Sequence, residues 1–192
     1  MASESSDVAV ATGDTLQVAP TGRARCRACA GKIDKGTLRF GEALPSAYGE
    51  GDATTFYWFH PRCAAHRRPD KFAPVARDEN AAAALPDRER LVQEAELGLA
   101  HERLPRLAGA ELASSGRARC RHCKELIGQG LWRLRLSSFA ASGFFEPLGF
   151  IHATCARDYF GVPAITDRLQ QAAPDLDTAP LAALITAADP PT

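Results

Sequence analysis

All six cysteines and two of the five histidines fall into two sets of identical makeup: Cys26, Cys29, His60, Cys63 and Cys120, Cys123, His152, Cys155. In each set Cys-x2-Cys offers two thiolates from one tight turn, and His-x2-Cys adds an imidazole and a third thiolate. Three soft sulfurs and one nitrogen suit a tetrahedral d10 ion without redox chemistry, so each set is read as a zinc site, two ions per chain. Four protein ligands close the coordination sphere and leave no place for a water nucleophile, so the zinc is structural. A disulfide framework needs an oxidising compartment, and nothing in the sequence directs export. A thioredoxin-like redox pair would use one Cys-x-x-Cys in a βαβ setting, and a Cys/His nucleophile would need a cysteine that is not a ligand. His66, His101 and His122 are read as surface or capping residues.

The cysteine sets belong to a duplication. Gly22-Arg23-Ala24-Arg25-Cys26-Arg27-Ala28-Cys29 returns 94 residues later as Gly116-Arg117-Ala118-Arg119-Cys120-Arg121-His122-Cys123. Ten residues after each second cysteine stands an arginine, Arg39 or Arg133. The first repeat has 30 residues between Cys-x2-Cys and His-x2-Cys, and the second has 28. Modules of roughly 50 residues bury too little apolar surface to be secure alone, so the metal must supply folding energy.

Short aromatic and aliphatic runs predict strands over 38–43, 54–59, 132–136 and 144–151, with Gly, Pro and Ser marking the loops. Leu91, Ala95 and Leu99 at i, i+4, i+8 predict a helix over 87–104, bracketed by Pro86 and Pro105. That helix either packs back on the first module or spaces the two. Residues 164–172 and 181–188 read as short helices. The fold class is therefore α+β: two small zinc-stabilised modules, each a short antiparallel sheet plus helices, joined by a helical linker. The expected division is a disordered N-terminus 1–16, modules 17–80 and 109–176, a linker 81–108 and a C-terminal tail 177–192.

The chain of 192 residues carries 23 basic and 23 acidic side chains. Residues 20–72 nevertheless carry +5, residues 114–160 carry +4, and the rest −9. Two cationic modules among anionic connectors suggest a polyanionic partner, although solvated basic faces would give the same count. No stretch near the ~20 apolar residues of a membrane span exists, and 1–15 lacks the basic start and apolar segment of a secretory leader. With 19 Arg to 4 Lys and abundant Ala, the composition suggests a GC-rich bacterial source and a cytoplasmic, nucleoid-associated location.

Cys-x2-Cys, about 30 residues, then His-x2-Cys, preceded by Gly-Arg-Ala-Arg and followed by an arginine at fixed distance, resembles the poly(ADP-ribose) polymerase (PARP)-type zinc finger. That family is also found on a DNA ligase and on DNA 3′-end repair enzymes. The resemblance covers roughly 17–75 and 109–165. It implies sequence-independent recognition of DNA strand breaks. Basic residues would hold the sugar-phosphate backbone, and apolar side chains of a loop would cap the exposed base pair. Carried over by motif, Arg23, Arg39, Arg117 and Arg133 would hold phosphates, as guanidinium groups do well. Arg25 and Arg119 join them as plausible additions, as do Arg27 and Arg121.

The capping window before the histidine holds Phe144, Phe145, Pro147 and Leu148 in the second finger, with one Phe expected in the core and one outside. In the first finger the window is polar and small, with Tyr48 able to reach in and Phe56 and Trp58 equally suited to the core. The second finger is thus the expected base-capper. A nicotinamide-dependent transferase domain of several hundred residues has no room here, and no ligase or phosphatase motif is visible. The expected function is a non-enzymatic binder of nicks, gaps and ends in DNA damage sensing or repair, working with repair enzymes in trans. The alternative is a zinc-stabilised protein-interaction adaptor, with contacts from the acidic 87–104 helix and the C-terminal tail.

Overall fold

The computed structural model describes residues 13–45, 54–162, 165–174, 176 and 178–188. Each repeat builds a three-stranded antiparallel sheet whose strands lie in chain order. The first contains β1 (Thr15–Val18), β2 (Leu38–Pro45) and β3 (Thr54–Phe59). The second contains β4 (Leu107–Leu112), β5 (Trp132–Phe139) and β6 (Phe145–His152). The four expected strands are present, and β2 and β5 run two or three residues further. β1 and β4 carried no strand expectation. Leu-Ala-Gly-Ala-Glu-Leu in β4 has weak strand propensity, and pairing with β5 overrides it.

After His60, α1 (Pro61–Arg67) and α2 (Pro69–Arg77) begin on prolines, whose fixed φ suits a first turn. Then α3 (Arg88–Ala100) packs across both. Its Leu91 and Ala95 enter the core formed by Phe40, Phe59 and Phe72. The expected helix therefore packs back on the first module, and only the short stretch after it crosses to β4.

The second core gathers Leu104, Ile127, Leu134, Ile151 and Phe160. It is closed by α4 (Ala156–Phe160), α5 (Thr166–Ala172) and α6 (Thr178–Ala188). The short helix expected over 181–188 is present and begins at Thr178, and Leu184 is buried in this core, so this part of the expected tail packs on the second module. β1 starts at Thr15, inside the segment expected to be disordered; residues 1–12 lie outside the described residues.

The two cores touch. Phe139 and Phe145, at the outer end of the β5–β6 hairpin, pack on the first core. Phe139 meets Tyr57 and Phe59 edge-on, with centroids 6.3 Å apart in both pairs. Two arginines at the end of α1 complete the contact. Arg67 lies 4.3 Å over Phe145 and donates to the carbonyl of Leu107 and the hydroxyl of Ser137. Arg68 lies 4.3 Å over Phe139 while holding the buried Glu42 through two hydrogen bonds of 2.8 and 2.5 Å. From the other side, Arg168 of α5 donates to the backbone carbonyls of His66 and Glu94. Burial pushes Arg67 and Arg168 down to about 10, still charged at neutral pH.

Candidate metal centres and nucleic-acid interface

Each cysteine pair sits on a tight turn whose backbone reverses at a non-glycine residue of positive φ, Ala30 (59°) or Lys124 (69°). The amide of Gly31 points at the Cys29 sulfur, and that of His122 at the Cys120 sulfur. The histidine lies at the end of β3 or β6, and the last cysteine lies in the helical turn that follows. Sheet, turn and helix thereby converge on one point.

The ligand atoms of Cys26, Cys29, His60 and Cys63 lie within 4.8 Å of one another, as do those of Cys120, Cys123, His152 and Cys155. His60 Nδ1 is 3.4 Å from the Cys29 sulfur and 3.9 Å from that of Cys63. The second cluster repeats this at 3.4 and 3.8 Å. A zinc tetrahedron with bonds of ~2.3 Å to sulfur and ~2.0 Å to nitrogen has edges of about 3.6 Å, so both clusters fit zinc. Nε2 of His60 faces the Lys32 carbonyl at 3.1 Å, and Nε2 of His152 faces that of Leu126 at 3.2 Å. This second contact fixes the tautomer that leaves Nδ1 free for metal. Hydrogen bonds to the Cys26 and Cys29 sulfurs push His60 up to about 10, so metal uptake must expel a proton there. All six cysteines are free of disulfides.

Around the clusters the arginines divide. Arg23, Arg25, Arg117, Arg119 and Arg121 are exposed, and none forms an ion pair with a described residue. Arg25 and Arg119 each donate back to a carbonyl of their own zinc turn, Ala30 at 3.1 Å and Lys124 at 3.2 Å. Arg39 and Arg133 are only 8% exposed and lie on the outer sheet faces, over Trp58 at 3.5 Å and Phe150 at 3.8 Å respectively. Phe56 stacks on Trp58 on the same face, 5.4 Å away, rather than beside Phe40 in the core. Cross-strand partners distinguish the two arginines. Arg39 pairs in register with Gln17, and Arg133 with Glu111, whose carboxylate it binds at 2.5 and 3.0 Å. Burial lowers the Arg39 guanidinium from its usual range.

The capping window divides as well. Phe144 is 55% exposed, Pro147 is exposed, and Leu148 packs against the second core. Phe145 is held between Arg67 of the first finger and Phe139 of its own β5, against the first core and not the second. Tyr48 lies outside the described residues. Arg27, expected as a plausible phosphate contact, has a place that motif spacing did not foresee. Its guanidinium lies 4.2 Å over Tyr57 and 4.5 Å over Phe144, joining the two fingers. Comparing the repeats position by position could have flagged it, because Tyr57 corresponds to Gly149 in the second repeat.

Comparison with known proteins agrees with this geometry. Residues 17–97 match the family described as the poly(ADP-ribose) polymerase and DNA-ligase Zn-finger region. The chain is 35% identical over 131 residues to a poly [ADP-ribose] polymerase of Drosophila melanogaster, covering 62% of this chain and 13% of that protein. It is 27% identical over 141 residues to the poly [ADP-ribose] polymerase of Sarcophaga peregrina, covering 65% and 14%. The chain thus spans about an eighth of the length of these relatives, and only zinc-finger sequence is shared. The first unit is a zinc finger of PARP type, and the second repeats its ligands, sheet order and outer-face arginine.

Proposed function

We propose that this pair of PARP-type zinc fingers binds interrupted DNA, gripping the sugar-phosphate backbone and capping the base pair at a nick, gap or end. The observation that carries the reading is the repeated outer face. In each finger a zinc-anchored sheet sets one guanidinium on an aromatic ring, Arg39 on Trp58 and Arg133 on Phe150, near a zinc turn bearing exposed arginines. Exposed arginines release phosphate counterions on binding, and the aromatic support restricts a guanidinium to one direction of approach. Arg23, Arg25, Arg117 and Arg119 take phosphates from the turns; Arg39 and Arg133 take them from the sheets. Phe144 with Pro147 supplies the apolar cap.

The activity is binding without catalysis. Each cluster offers four protein ligands, the number that fills a structural zinc tetrahedron, which supports this reading. A role in damage sensing or repair follows, with enzymes acting in trans. No helix among the described residues is long and apolar enough to cross a membrane. The two relatives are insect proteins, and the bacterial, nucleoid-associated location rests on composition alone.

Fluorescence anisotropy tests the reading. Wild-type protein should bind a nicked hairpin more tightly than an unbroken one, with affinity falling steeply as salt rises. Arg39→Glu combined with Arg133→Glu should weaken binding strongly and flatten what remains of its salt dependence. Indifference to the nick leaves only generic DNA binding, and indifference to both substitutions moves the function to protein recruitment.

A further inference from the structure

The hairpin tip of the second finger is built into the first. Gly143 (φ 77°) lies so close to Tyr57 that a Cβ there would collide with its ring. One residue on, Phe144 covers Arg27, whose guanidinium also covers Tyr57. The docking is directional. Where the first finger has Tyr57, Arg67 and Arg68, the second has Gly149, Tyr159 and Phe160, and those two rings are buried in its own core. Among the described residues the second finger therefore has no matching receptor for a hairpin tip, and a single such junction is formed.

We infer that Tyr57, Arg27 and Phe144 form a single composite stacking site for an unpaired base, contributed by both fingers, so that one chain reads one break. The inference rests on the DNA-break reading and specifies the occupant of its capping site. The chemistry is that of single-strand recognition: aromatic faces and a guanidinium plane stack any base, whatever its sequence. Phe144 keeps more than half of its surface exposed while Arg27 is held against it. Phe145, clamped under Arg67, anchors the tip and is not itself available for stacking. The positive charge of Arg27 also favours the phosphate that flanks the base.

The test uses the full chain with two zinc ions bound and a hairpin with a one-nucleotide gap, 2-aminopurine facing the gap and its open end closed by a second loop, beside an unbroken counterpart closed in the same way. Tyr57→Ala and Phe144→Ala should each weaken binding to the gapped hairpin by about tenfold. Both should abolish 2-aminopurine quenching and leave binding to the unbroken hairpin unchanged. The double variant should lose little more than either single variant, since both rings serve one site. Tyr57→Phe, which keeps the ring, should retain binding. Gly143→Val should undock the tip and reproduce the loss with both zinc ions retained. Loss in Phe144→Ala alone, with Tyr57→Ala and Gly143→Val unaffected, would show that the loop acts by itself and overturn the composite site. A wild-type chain that does not distinguish gapped from unbroken DNA would overturn the break reading itself, a separate result.

Discussion

The two fingers share ligands, sheet order and an arginine on an aromatic ring, yet they differ at the positions that decide what each can contact. At the end of the helical turn after the last zinc ligand, the second finger has Tyr159 and Phe160, turned inward to complete its own core. The first finger has Arg67 and Arg68, which accept Phe145 and Phe139 of the second finger. It fills its own core instead with α2 and α3, through Phe72, Leu91 and Ala95. The outer faces differ too: Arg39 faces Gln17, whereas Arg133 is bound by Glu111, which also lies 3.6 Å from Arg135. Duplication thus supplied two metal-held frames. Substitution at a few positions made one the receptor and the other the inserted tip.

The largest effect expected is metal removal. Chelation should abolish the cooperative thermal transition followed by circular dichroism, because each small core depends on its ion. Cys26→Ser should cost docking as well as the first finger, whereas Cys120→Ser should leave the first core's melting in place; equal effects would mean that the cores are not separable. Next in size is the clamp. Arg68→Ala strands the buried carboxylate of Glu42 and should destabilise the protein by roughly 3 kcal/mol in urea denaturation.

Phe145→Ala should cost about 2 kcal/mol of stability, while Phe144→Ala should cost almost none and act on break binding. Reversed roles would mean the hairpin tip is held the other way round. The smallest effect concerns the outer faces. Glu111→Gln should raise nicked-hairpin affinity about threefold by releasing two guanidinium groups, and Gln17→Glu should lower it comparably. No change in either would mean that the sheet arginines do not meet phosphate.

Much of this was legible in the sequence because ligand chemistry is strict. Thiolate and imidazole at these spacings are the donors a structural zinc site uses, so both clusters, and the strands that end at or just before His60 and His152, could be read directly. Of the two phenylalanines expected one in the core and one outside, Phe144 is exposed, whereas Phe145 is half-buried against the first finger's core and not in its own. β1 and β4 were illegible since short edge strands take their conformation from a neighbour more than from their own residues. The docking was illegible for a related reason. Arg67, Arg68 and Arg27 look like surface charge in sequence, and only tertiary structure sets each over a ring. The Glu111–Arg133 pair was hidden similarly, because cross-strand register is not written in spacing.

The most direct test of the account is a hydroxyl-radical footprint of the zinc-loaded chain on a nicked hairpin, with stoichiometry read by native mass spectrometry. One chain per hairpin, protecting the backbone on both sides of the nick, is the result expected of two docked fingers acting on one break. Two chains per hairpin, or protection spread evenly along the duplex, would contradict it.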